Sequence, residues 1–485
     1  MNPLLDFSGL PRFTEVRPQH VTPALEGLLA ENRALVDNIG QAQNTPTWDS
    51  FVAPLEDAAE RLSRAWSVVS HLNAVLNSPA LRKVYNANLP KITSYYAELS
   101  QNNHLYKKFK TLRKSAAFRL LNRAQRRIVD NELRDFRLGG ADLDARHKAR
   151  FRATQEQLAA LSSKFQDNLL DATDAFALYV EDRRELSGIP QDVIAAAALA
   201  AKRERRSGWK LTLQAPCWLP VMQYAECRSL RARMYRAYVT RASKFGPSRW
   251  DNTPLIKNIL KLRREAARLL GFDNYAQYSL ATKMADHPKQ VLAFLGDLGN
   301  RAKPYARGDL RELEDFAAGK LKLKKLHAWD IAYASEKLRV ERYAFSDQEV
   351  KRYFPETRVL PGMFKLVETL YGVNISPAQA PLWHPDVKFF DITDRRRNPV
   401  GRFYLDLYAR KNKRGGAWMD DAIARRRKGR AIQPPVAYLT CNFASPAGGH
   451  PALFTHDDVI TLFHEFGHGL HHLLTRIEEP GVAGI

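Results

Sequence analysis

The sequence predicts a mainly α protein with one small β-sheet set ahead of a last helix. Three observations carry this. Apolar residues recur at three- and four-residue spacing through most of the first 380 positions, with charges between them. Aromatic-rich alternating runs cluster late, between 387 and 443. A helical pattern holding two histidines four apart begins at about Asp457.

The elements follow in order. Thr22-Pro23-Ala24 offers a capping residue and then proline at a first helical position, predicting a helix to about Ile39. Thr47-Trp48-Asp49-Ser50 opens a second, and Ser78-Pro79-Ala80 repeats the cap-then-proline signal. Long periodic segments cover 116–136 and 144–176. Trp209 to Leu213 reads as a strand. Helical patterns return from 221 to 380, among them Arg263 to Leu270, closed by Gly271. Val387 to Ile392 and Gly401 to Tyr408 form a hairpin signal around Asn398-Pro399, and Pro435 to Phe443 is a third strand. A loop with Pro446, Gly448, Gly449 and Pro451 leads into the last helix.

At 485 residues the chain predicts two or three packed units. Its 45% hydrophobic content supplies an ample core and excludes a disordered chain. The longest plain apolar run, Val193 to Ala201, is too short to cross a membrane. Three cysteines exclude a disulfide scaffold. The first residues show no secretory leader, so a cytoplasmic protein is expected. Cys217, Cys227 and Cys441 are not metal-spaced and read as buried thiols, Cys441 as open to oxidation.

Lysine and arginine exceed aspartate and glutamate by 23. The excess lies in short runs such as Arg395-Arg396-Arg397 and Arg425 to Arg430, read as solvated loops. No zinc-finger, RNP-type or helix-turn-helix signature accompanies it, so nucleic acid is not an expected partner.

The chemistry sits in His464-Glu465-Phe466-Gly467-His468. Residues four apart share a helix face, so His464 and His468 can hold one Zn²⁺ through their imidazoles. Glu465 lies beside them as general base toward a zinc-bound water, which then attacks a peptide carbonyl. This pattern arises by chance on the order of 0.02 times in such a chain, so a functional reading is preferred. Thr455 and Asp458 supply a cap. Gly467 between two ligands suggests close approach of backbone or substrate. His471 and Leu474 stand where the other common zincin extension needs glycine and histidine, which excludes that branch. His471 reads as a packing residue, and Glu478 and Glu479 follow too soon to reach the same zinc.

His464-Glu465-Phe466-Gly467-His468-Gly469-Leu470-His471 resembles the motif of the thimet-oligopeptidase family of zinc metallopeptidases. Phe403 to Arg410, Lys413 to Trp418, Pro435 to Phe443 and Leu453 to His456 extend the likeness. So do Ser70 to Asn73, Leu219 to Met222 and Trp329 to Tyr333, and it covers essentially the whole chain. The resemblance implies a two-lobed, zincin-type helical metallopeptidase with a channel between the lobes. It implies an N-terminal helical domain over 1–185 and a catalytic domain over 186–485. His464 and His468 would be zinc ligands and Glu465 the catalytic base. The strand around Ala437, Tyr438 and Leu439 would pair with the substrate backbone. The expected enzyme is a monomeric zinc endopeptidase acting on short, unstructured oligopeptides.

The family's third ligand, a glutamate about 25 residues past the second histidine, would fall beyond Ile485. The expectation is therefore a truncated copy with little or no activity of its own. A non-catalytic peptide-binding remnant is the alternative.

Overall fold

The computed structural model describes residues 2–446 and 451–484. The loop expected around Gly448 and Gly449 lies outside them, as does Ile485. The fold is mainly helical with small sheets, as the sequence predicts.

The first helix, α1 (Pro18–Gln41), starts a turn earlier than Thr22-Pro23 suggested. Pro18 holds the first position, and the Arg17 amide donates to His20 Nδ1 at 3.1 Å. Pro23 sits inside, where it removes one rung, and the buried face of Val21, Leu25, Leu28 and Leu29 keeps the helix running. One π-type turn at Trp48–Val52 leads into α2 (Ala53–Val75). The Ser78 hydroxyl accepts from Leu81 N at 3.2 Å and opens α3 (Pro79–Ser100). Then come α4 (Asn103–Lys114), α5 (Ala116–Leu120), α6 (Arg123–Leu138) and the long α7 (Ala145–Asp174).

Strands β1 (Leu178–Val180) and β2 (Trp209–Leu211) pair antiparallel across α8 (Gln191–Arg203). Five helices follow: α9 (Ala215–Tyr224), α10 (Arg228–Val239), α11 (Thr253–Leu269), α12 (Tyr275–Leu280) and α13 (Pro288–Gly319). Gly271, at φ +81°, ends α11 as expected. The amides of Gly271 and Phe272 return to the carbonyls of Arg268 and Ala267, which completes the cap. Next are α14 (Ala328–Tyr343), α15 (Asp347–Val350) and α16 (Glu356–Tyr371).

The main sheet uses β3 (Val373–Pro377), β4 (Lys388–Asp394), β5 (Pro399–Tyr408), β6 (Trp418–Ile423) and β9 (Val436–Phe443) in the order β3-β4-β5-β9-β6. The β4–β5 hairpin forms as its alternation predicts. β5 and β9 are parallel, and β6 runs antiparallel on β9's other side. Between them β7 (Arg426–Lys428) and β8 (Ala431–Gln433) make a separate hairpin. This corrects the reading of Arg425 to Arg430 as a solvated loop: Arg426 is buried and paired with Asp57 and Glu60 of α2. The last helix is α17 (His456–Leu473).

Strand alternation sends the sheet's side chains into two cores. Tyr404, Val436 and Tyr438 pack with α1, α2 and α3. Phe403, Leu405, Ala437, Leu439 and Cys441 face the other way, against α16 and α17. The first core therefore crosses the division at 185/186.

Candidate active site

α17 is fixed at its start and along one face. Thr455 Oγ1 accepts from Asp458 N at 3.0 Å, and Asp458 returns a carboxylate oxygen to Thr455 N at 2.9 Å. Leu462, Phe466, Leu470 and Leu473 are buried on the sheet. Gly469 allows the closest approach, since a β-carbon there would meet Leu439 Cδ2 at 3.0 Å. Gly467 has no such neighbour within 4 Å. The close approach by protein suggested for Gly467 is thus made at Gly469, two residues on.

The opposite face presents His464 and His468, both exposed. Their Nε2 atoms converge to 3.2 Å, with ring planes at 88°. Glu465 is buried beside them at 8% exposure. Two nitrogens bound tetrahedrally to one zinc at 2.0–2.1 Å stand about 3.3 Å apart. The imidazole pair therefore fits a zinc ion. Among the described residues no group of three or more His, Cys, Asp or Glu side chains gathers as a metal site. Glu478 pairs with Arg427, and Glu479 accepts from Asn122 Nδ2 at 2.6 Å, both directed elsewhere.

His471 is exposed, and the packing role expected of it falls to His472. His472 is buried, with Nε2 3.1 Å from the Ile423 carbonyl, and fastens α17 to the end of β6. Only its place four residues past His468 hinted at this in the sequence.

Ala437, Tyr438 and Leu439 are interior, at 0–1% exposure. Their strand is paired with β5 on one side and β6 on the other. No edge remains for a substrate backbone there, so the expected pairing with these residues has no room. The outer strand on that side is β6. Cys441 is likewise fully buried, and burial pushes its thiol far above the usual range. That makes it an inert core residue rather than an oxidation-prone one.

A buried ionic cluster ties together the ends of β5 and β9. Lys413 Nζ donates to Asp406 Oδ1 (2.7 Å), Tyr408 O (2.8 Å) and Cys441 O (2.7 Å). Arg410 and Trp383 Nε1 complete the shell of Asp406. Burial works against the charge on Asp406, but hydrogen bonds and attraction from Arg410 and Lys413 hold its carboxyl below the usual range. Burial lowers Lys413 to about 8. Behind the cluster, His71 stacks on Tyr438 at 3.9 Å and meets Trp383 edge-on. The place of His71 in this cluster was not legible, because it meets Trp383 and Tyr438 across more than 300 positions of chain.

The imidazole pair sits on a small sheet within a helical body, and the chain's family and relatives make it a metallo-oligopeptidase. The chain belongs to peptidase family M3, whose model matches residues 221–485. A second model, the neurolysin/thimet oligopeptidase N-terminal domain, matches 24–148. The chain is 46% identical to oligopeptidase A of Salmonella typhimurium and 47% to that of Escherichia coli. Each alignment covers all of this chain and 72% of the relative. The crystal structure of a candidate oligoendopeptidase F from Bacillus anthracis shares the fold at TM-score 0.54 and 15% identity. That match covers 94% of this chain and 66% of the other.

Proposed function

We propose that His464 and His468 hold a zinc ion and that Glu465 is the general base in hydrolysis of short, unstructured peptides. The convergence of the two Nε2 atoms carries this reading. When bound, zinc would polarise the substrate carbonyl and lower the pKa of a water. Glu465 takes the proton from the attacking water on its carboxylate and delivers it to the departing amide nitrogen. Burial limits the freedom of the Glu465 side chain.

The substrate backbone lies along the outer edge of β6. Asp421 O is taken there by Ser67 Oγ of α2 at 3.1 Å, so the part of the edge that can pair is around Met419, whose backbone alternation turns the same way. Main-chain pairing with an edge strand accepts many sequences, which suits an oligopeptidase.

A catalytic zinc takes three protein ligands, and the described residues bring two together. Two imidazoles without a third ligand are expected to hold zinc loosely.

Zinc titration of the purified chain, with H464A and H468A beside it, tests the reading. Weak binding lost in either variant is expected. Zinc binding unchanged in both would remove the imidazole pair from the site.

A further inference from the structure

We infer that a cleft between α7 and α11, on elements that carry none of the residues above, binds a small phosphate anion. The cleft is about 440 Å³ and is lined by Leu143, His147, Lys261, Arg264, Glu265, Arg268 and Leu269. Lys261, Arg264 and Arg268 follow at three- and four-residue spacing and so share one face of α11.

The charges there do not cancel within the fold. Glu265 is the cleft's one carboxylate, and Arg150 of α7 engages it, with Nη2 to Oε2 at 2.7 Å. His147 is matched by Asp144 at 2.7 Å. Lys261 adds a longer-range attraction to Glu265, but among the described residues Lys261, Arg264 and Arg268 form no ion pair within 4.0 Å. Like charges on successive turns of one face destabilise a helix, and a bound anion reverses the sign of that interaction. Packing does not call for them either, since α11 is buried through Leu262, Ala266 and Ala267.

The residue types select the ligand. Two guanidinium groups and an ammonium match phosphate oxygens, the former in bidentate fashion. Free polyphosphate and nucleotides offer the same chemistry, and Leu143 and Leu269 give an apolar surface on which a base could rest.

Calorimetric titration of the 485-residue chain with pyrophosphate, ATP and adenosine tests this at low and moderate salt. One saturable site per chain for both phosphates, and none for adenosine, is expected. Equal affinity for the two phosphates identifies the ligand as phosphate alone, and tighter ATP binding identifies it as a nucleotide. R264Q/R268Q should weaken binding about tenfold or more with an unchanged circular dichroism spectrum. R123Q/R127Q, which removes the same charge from α6, should leave binding as it was. No saturable binding at millimolar pyrophosphate, adenosine binding as well as ATP, or equal loss in the two double variants would overturn the assignment.

Discussion

His71 shows how strongly one buried residue can tie stability to pH. Its ring lies among Phe13, Trp383 and Tyr438, and burial lowers its pKa from 6.5 to about 3. The unfolded chain therefore takes up a proton first. The stabilisation is complete above pH 6.5 and is lost as pH falls toward 3, at about 1.4 kcal/mol per unit. Urea midpoints of wild type and H71F at pH 8, 6 and 4.5 should diverge toward acid, with H71F the flatter. Parallel curves would place the acid sensitivity elsewhere. Lys413 makes a second case. K413M leaves Asp406 buried beside a single remaining cation and is expected to cost about 3–5 kcal/mol, read from the same melts. At the proposed general base, E465Q should lower chelator-sensitive cleavage of a quenched peptide by about 10²–10⁴-fold in any form of the protein that has turnover, with zinc content unchanged. Equal activity would show that another group carries the proton.

Among the elements, α17 gives the sharpest contrast. G467A adds a methyl that meets nothing within 4 Å beyond its chain neighbours and the helix's own backbone, and should stabilise the helix by about 1 kcal/mol. G469A drives a methyl toward Leu439 and should destabilise by about 1–3 kcal/mol. Thermal melts that failed to separate the two variants would contradict this seating of the helix. Local chemistry made much of the element set readable. Ser78-Pro79, Gly271 and the Thr455–Asp458 cap act within a few residues of themselves, so their signals survive in the bare sequence. Pro23 misled because the burial of Val21 and Leu25, a tertiary matter, outweighed a single lost rung. The convergence of the His464 and His468 imidazoles was legible because residues four apart share one helix face. The standing of Ala437 to Leu439 was not, because the strands that close both their edges lie up to some 30 residues away in sequence and one of them pairs parallel.

For the molecule as a whole, the sheet is a middle layer shared by two cores. The face of α1, α2 and α3 that meets Tyr404 and Tyr438 has no substitute partner in the first 185 residues. Residues 1–185 expressed alone should bind a hydrophobic dye and aggregate, and co-expression with 186–485 should restore solubility. A soluble, cooperatively melting 1–185 fragment would show that this half completes its own core. The Arg426–Glu60 pair bridges 366 positions of chain. On a ribosome adding roughly 5–20 residues per second, α2 would wait about 20–70 s for that partner to emerge. The amino-terminal helices thus spend most of synthesis with an unfinished apolar face, and nascent-chain holdases have their longest opportunity to act during that interval.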